Sequence, residues 1–307
     1  MTQSGKDMND SIPVGAVEPR RQSQIGFKAI VRTLLSHKLA VIGMIIIISL
    51  FSMAIFAPYL TSYDPIEPDF YNTLQGPSKE HWLGTDDLGR DLFARIVYGA
   101  RVSMTVALAC TIFSIIAGTC LGLLAGFKKG IVDQIIMRLV DMIMVFPGLI
   151  FVLLLAAALG PGMGNIIIAI TLFGWTGFAR IIRGQVLSVR EEPYVEAARA
   201  AGASDLRIMF KYVLPNSLAP IIVTGALALG GAVAVESGAA FLGIGVQPPT
   251  PTWGRELRVG YSYLTTVPLF SIAPGVLITA AILAFTFLGD GLRDAFDPRI
   301  RGEGKKL

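Results

Sequence analysis

Few residues in this chain are both chemically capable and placed where chemistry would need them. An acid within an apolar run is a functional candidate by default. Glu236 is the clearest such acid, followed by Ser237-Gly238 at the end of an uncharged run. It is a candidate for a gate or path, although its place at the end of the run also suits a side chain reaching the interface. Arg138 and Asp141 are three apart and are expected to pair on one helix face. Of the two histidines, His37 abuts the first apolar run. His81 sits near Glu80, Asp86 and Asp87 in what reads as a solvated acidic loop, with no metal-ligand spacing. No histidine lies within an apolar run, so a Ser–His hydrolase has no base. No GxxxxGK[ST] loop occurs, so ATP has no P-loop here. Cys110 and Cys120 stand ten apart in one apolar run, about 15 Å along a helix, too far to bridge.

The elements that must hold these residues are membrane spans. The 307 residues are 53% apolar and 16% charged, with a mean hydropathy of +0.63. A soluble domain carries about 25% charge. The apolar residues fall in long uncharged blocks, as spans of about 20 residues require. Six are expected: Leu39–Ala57, Val102–Phe127, 136–159, 166–184, Ser217–Val235 and 269–289. Backbone groups in lipid must pair internally, so the spans are helices. The run Gly160-Pro161-Gly162-Met163-Gly164-Asn165 reads as the turn between the third and fourth. Leu88, Leu92, Ile96 and Gly99 recur at helical spacing and suggest an interfacial helix ahead of the second span. The first 38 residues are polar, with no early apolar core, so no cleavable signal is expected.

Lysine and arginine set the orientation. The side holding both termini carries 19 of them and the opposite loops, 58–100 and 245–268, carry five. Both termini are therefore expected in the cytoplasm. Topology accounts for the basic charge, and nucleic-acid binding is left without support. The chain divides into a cytoplasmic tail (1–38), a first span with outer loop and interfacial helix (39–100), a membrane core (101–290) containing a cytoplasmic loop (184–216), and a second cytoplasmic tail (291–307).

Within the spans, Gly118, Gly122 and Gly126, followed by Gly130, form a smooth stripe suited to close helix packing. A seam against a second membrane subunit is the sharper alternative. Pro147-Gly148, mid-way along the third span, removes a backbone donor and is expected to kink it, with a gating hinge as the alternative. Pro274 could act similarly in the sixth.

The cytoplasmic loop is the informative segment. Glu191 and Glu192 suit a helix N-terminus, Pro193 its first position and Gly202 the residue after its end. A short helix over 193–201 follows, with Tyr194, Ala197, Ala198 and Ala201 on one face. Ser204 can cap a second helix to Tyr212, which Leu214-Pro215 closes. A helix so short is marginal alone, and its small, alanine-rich face suits docking in a groove.

The spacing of this loop is specific. Glu196-Ala197-Ala198, then Gly202, Tyr212 and Leu214-Pro215, resembles the EAA loop of binding-protein-dependent ABC importer permeases, with Tyr where that pattern has Ile. More narrowly, Leu83–Asp91, Glu236–Gly254 and Gly289–Pro298 resemble the C-type subunit of dipeptide, oligopeptide and nickel importers. The resemblance implies an all-α membrane protein of the type I importer permease fold in the plasma membrane of a prokaryote. It implies a B-type permease partner, two ATPase subunits that bind ATP and Mg, and an extracytoplasmic binding protein. It implies no cofactor or covalent chemistry in this chain. The loop at 193–215 would then couple to an ATPase, and small peptides, nickel or glutathione would be the cargo. An ion-coupled secondary transporter is the rival class.

Overall fold

A computed structural model describes residues 27–296. Among these the structure is helical, with one isolated bridge, Thr85 to Asp91. The elements are α1 (Phe27–Ser36), α2 (Lys38–Ile55), α3 (Ala57–Leu60), α4 (Leu92–Lys128), α5 (Gly130–Met144), α6 (Gly148–Leu159), α7 (Met163–Val189), α8 (Pro193–Ala200), α9 (Asp205–Ile208), a π turn (Met209–Val213), α10 (Leu214–Phe241), α11 (Trp253–Tyr261) and α12 (Leu269–Phe296). Five helical stretches are long and apolar enough to cross a membrane. They are α2, α4, α7, the continuous run Asp205–Phe241, and α12.

The sixth expected span is a broken one. α5 and α6 meet at 92° across Val145–Pro147. The kink expected at Pro147 is thus a full break. Pro147 has no N–H to continue the α5 ladder, and its ψ of 125° starts α6 in a new direction. Gly148 makes the bend possible: a Cβ there would sit 2.7 Å from the Phe173 ring of α7. The turn expected at 160–165 is present, with Gly160 and Gly162 at positive φ. Asn165 donates its side-chain amide to the free carbonyls of Leu159 and Gly160, at 2.9 and 3.1 Å.

The glycine stripe packs α4 on α7 within this chain. Cβ atoms at Gly118, Gly122 and Gly126 would lie 2.5 Å from Trp175 O, 2.6 Å from Ala179 O and 2.7 Å from Val186 Cβ. That geometry favours close helix packing over a seam for another subunit. Gly130 lies off the seam in open space and starts α5 at φ +63°.

Three other expectations are corrected. The stretch expected as a separate interfacial helix forms the first turns of the 37-residue α4. Leu92, Arg95 and Ile96 there are buried in protein. Arg138 does not pair with Asp141. Asp141 instead accepts from Arg180 of α7 at 2.7 Å, because α5 lies across α7 and turns Arg138 outward. Finally, Leu214-Pro215 does not close a helix. Pro215 falls in the first turn of α10, where its missing N–H costs little, and the π turn carries the chain into the span. Asn216 and Ser217 donate to the carbonyls of Tyr212 and Val213 beside it.

Helices extend into both segments read as tails. α1 falls inside the polar 1–38 segment, and α12 runs past 290 to Phe296. His37 joins them. Its Nδ1 caps Ala40 N–H at 3.2 Å and its Nε2 lies 3.5 Å from Asp294. Pro274 is buried within an uninterrupted α12. The motif residues Asp297 and Pro298 lie outside the described residues.

Candidate functional site

One end of the bundle carries the loop between α7 and α10. α8 begins at Pro193, with Glu192 as its extended N-cap residue. It stops by two reversed hydrogen bonds: Gly202 N–H to Arg199 O and Ala203 N–H to Ala198 O, both 3.0 Å. That pairing needs a left-handed residue, and Gly202 supplies it at φ +80°. Ser204 then caps α9 through Arg207 N–H.

Burial divides α8 into two faces. Val195 is fully buried in an apolar cluster with Leu123 and Phe127 of α4, Ile182 and Val186 of α7, and Ile208, Met209, Val213 and Ile221. Removing a valine side chain from water is worth about 1.5–3 kcal/mol, enough to seat a helix too short to hold itself. The other face is open. Glu196, Ala197 and Ala201 are exposed, Ala198 is half-buried, and Tyr194 is 37% exposed. Partial burial, with Glu192 adding to it, pushes the Tyr194 phenol above its usual range. Tyr212 and Leu214 pack against the cluster beneath α8, while Pro215 is exposed. Val195 was not singled out in the sequence, though its place between Tyr194 and Glu196 is where a short helix needs an apolar anchor. Leu206 and Phe210, which carry no motif signal, add two exposed apolar side chains to the same loop.

The loop is tied to the end of α4. Arg190 Nη1 donates to the last carbonyls of α4, Gly126 O and Phe127 O, at 3.1 and 3.2 Å. Lys129 and Lys128 reach Glu191 and Asp205 at 3.4 and 3.5 Å. α8 therefore stands on the α4–α7 pair that the glycine stripe locks together.

Glu236 does not reach an interface. It is 2% exposed in α10, and its Oε2 accepts from Ser103 Oγ of α4 at 3.0 Å and Ser237 Oγ at 3.3 Å. Pro147 lies at the break, and the next two residues, Gly148 and Leu149, line a 210 Å³ apolar cavity together with Thr111 and Ser114 of α4, Phe173 of α7 and Ala232 of α10. The structure does not bring Pro147 and Glu236 together with the loop at 193–215; they sit in the bundle interior.

The opposite end carries the 58–91 loop, whose 81–91 part is largely buried rather than solvated as expected, while most of 58–80 is exposed. Asp86 is fully buried and accepts from Arg90 Nε at 2.7 Å. Arg95 makes a two-pronged contact with Glu256 of α11 at 2.9 and 2.6 Å and donates to Pro65 O. His81 Nδ1 and Asp91 Oδ1 are 2.9 Å apart. Trp253 Nε1 donates to Ile96 O at 3.0 Å. Alternation could not reveal this, because Arg95 and Glu256 are 161 residues apart. Among the described residues no group of three histidine, cysteine or acidic side chains is placed to hold a metal.

A bundle of apolar spans, one of them broken, with a short helix standing on two locked spans, is the architecture of a multi-pass membrane permease. Residues 118–302 match the family of the binding-protein-dependent transport system inner membrane component. Residues 27–77 match the N-terminal TM domain of oligopeptide transport permease C. The chain belongs to this family of ABC importer permeases and is a multi-pass protein of the bacterial plasma membrane, not a catalytic enzyme. It is 43% identical to the dipeptide transport system permease protein DppC of Alkalihalophilus pseudofirmus over 93% of this chain and 92% of the relative. It is 41% identical to the oligopeptide transport system permease protein OppC of Bacillus subtilis over 87% of each. It is 39% identical to the glutathione transport system permease protein GsiD of Pectobacterium atrosepticum over 88% of this chain and 90% of that one. The fold is shared with a chain of the inward-facing MetNI methionine ABC transporter, at a TM-score of 0.54 and 19% identity over 67% of this chain and 98% of that one.

Proposed function

We propose that this chain is one of two permease subunits of an ATP-driven importer for short peptides. A B-type permease is its membrane partner, two ATPase subunits bind ATP and Mg, and an extracytoplasmic binding protein delivers cargo. Both termini and α8 face the cytoplasm, and the 58–91 and 242–268 segments face outward. The charge asymmetry of the loops supports this orientation.

The observation that carries the coupling role is the two-sided α8. Val195 fixes its inner face to the α4–α7 unit, while Tyr194, Glu196, Ala197 and Ala201 are left open to enter a groove. ATPase closure pushes on α8. Because α8 stands on α4 and α7 and continues through α9 and the π turn into α10, the push tilts three spans together. ATP binding thereby shifts the balance between two packings of the bundle. Within that movement the break at Pro147 and the buried Glu236 are candidates for gate or path.

The test is Ala197→Glu in the full transporter. Uptake and binding-protein-stimulated ATP hydrolysis are expected to vanish while the complex still inserts. Unchanged uptake would refute the role. Cargo is settled by vesicle uptake of labelled dipeptides competed by glutathione and by nickel. Unlabelled dipeptide, added as a third competitor, should compete better than either. Uptake that persists without ATP and follows an ion gradient would favour the secondary-transporter reading instead.

A further inference from the structure

A pocket of about 170 Å³ opens between the 60–82 segment and the start of α4, on the end assigned above to the outer face. It is lined by Leu60, Tyr63, Glu80, Trp82, Asp91 and Phe93, among others. Trp82 and Phe93 form one wall, with ring centroids 5.1 Å apart. Tyr63 forms another, its ring 4.9 Å from His81. The buried Asp91 carboxylate lies in the lining, held by His81 and by Ala94 N–H at 2.7 Å. Glu80 is an exposed lining residue without an ion-pair partner among the described residues.

The exposed charge of the 60–82 segment is negative, and the two arginines near the start of α4 do not offset it; Arg255 of α11, half-buried beside Arg90 and Arg95, is the nearby cation outside these pairs. Arg90 is committed to Asp86 and Arg95 to Glu256, both in buried pairs. The exposed charges of the segment are then Asp64, Glu67, Asp69 and Glu80 against Lys79 alone. Aromatic faces beside carboxylates attract an organic cation.

Size narrows the occupant. Sites that hold a free small-molecule ligand measure about 300–1,000 Å³. The pocket is smaller and suits the end of one side chain. Phe70 and Tyr71, 70% and 97% exposed on the same segment, provide the aromatic contact area typical of protein interfaces. Anionic lipid headgroups would be repelled by the carboxylates.

We propose that this pocket receives a lysine or arginine side chain of the extracytoplasmic binding protein. The assignment rests on the importer reading and orientation given above. The test uses the complete transporter in nanodiscs, titrated with its purified binding protein while ATP hydrolysis is followed. Glu80→Lys should raise the half-maximal binding-protein concentration about tenfold or more, with the maximal rate recovered at saturation. Trp82→Ala should act in the same direction, and added salt should weaken the wild type more than Glu80→Lys. Unchanged half-saturation in Glu80→Lys overturns the assignment. So does saturable binding of arginine amide to the transporter without binding protein, which would make the pocket a cargo subsite. A Trp82→Ala effect that appears only as altered lipid dependence would assign the aromatics to the membrane and likewise overturn it. A wild-type complex that no binding protein stimulates would sink the importer reading itself. A stimulated wild type with an indifferent Glu80→Lys would sink this assignment alone.

Discussion

The two ends of the bundle hold their charges in opposite ways. At the end with the 58–91 loop, Asp86, Arg95 and Glu256 are at most 1% exposed and joined by several short contacts. At the end with α8, the Lys128–Asp205 and Lys129–Glu191 pairs are about half exposed and 3.4–3.5 Å long. The first arrangement excludes water, so removing one partner strands a charge. The second remains in water, where a pair is worth about 0–1 kcal/mol and salt screens it. One end is therefore a preformed platform clamped by ions. The other is a small helix seated by apolar contacts, its ions nearly incidental. Under the function proposed above, the first end would dock the binding protein and keep its shape between encounters, and the second would move as a unit with the spans beneath it.

The largest effect should come from breaking the clamp. Arg95→Ala leaves Glu256 buried without its partner and is expected to cost about 3–5 kcal/mol, seen as a lower thermal unfolding midpoint of the purified protein. The pair Arg95→Met with Glu256→Leu should recover much of that loss, since apolar replacement of both partners removes the stranded charge. A wild-type midpoint in Arg95→Ala would mean that the platform is held by something else, with Trp253 and its bond to Ile96 the next suspect.

The seam beneath α8 should come next. Gly122→Val places side-chain atoms against Ala179 O and Ile182 Cβ of α7, where a Cβ alone would stand 2.6 and 2.9 Å away. Overpacking of this kind costs about 1–3 kcal/mol. Gly184→Ala is the control: it lies on α7 with nothing within 4 Å, and should be neutral or slightly stabilising. Equal effects in both would show that α4 and α7 are not locked through the stripe. Transport should fall further than stability in Gly122→Val, because the push on α8 would no longer reach both spans.

Val195→Ala tests the seat itself. Losing two methyl groups from a fully buried site should cost about 1.5 kcal/mol, expressed locally as faster amide exchange over 193–205. Exchange unchanged there would mean that the loop is held by its polar ties instead.

Much of this architecture can be read from local pattern. Uncharged runs mark the spans because lipid tolerates nothing else. The α8 loop is legible because Pro193, Gly202 and Ser204 each act on their own neighbours. The glycine spacing announces a close-packed stripe, though only the fold names α7 as the partner. What stayed hidden depends on distance in the chain. Arg95 and Glu256 each look like surface charges until the outer loop and α11 are brought together. Arg180 reaches Asp141 only because α5 packs on α7 ahead of the break at Pro147, and the angle of such a break is set by what α6 packs on. Val195 gives no signal in the sequence because a single valine in an alanine-rich helix carries no periodicity. The continuation through Leu214-Pro215 is hidden for a related reason: a proline after a loop reads as a stop, yet in the first turn of a span it is a start.

The smallest effect sharpens the contrast most. Lys128→Ala combined with Lys129→Ala removes the two lysine ion pairs of the α8 end and leaves Glu191 with Arg190. Each is worth about 0.5 kcal/mol or less in water at physiological salt. The double variant should leave the unfolding midpoint and the exchange rate over 193–205 close to wild type, and raising salt should change neither protein. Both lysines also count toward the basic excess on that side of the bundle, but the remaining basic residues keep the bias. Insertion should therefore be unaffected. A marked loss of protection over 193–205 would make these pairs part of the seat. The ions at the two ends would then differ in exposure without differing in role, and the contrast between clamp and seat would fail.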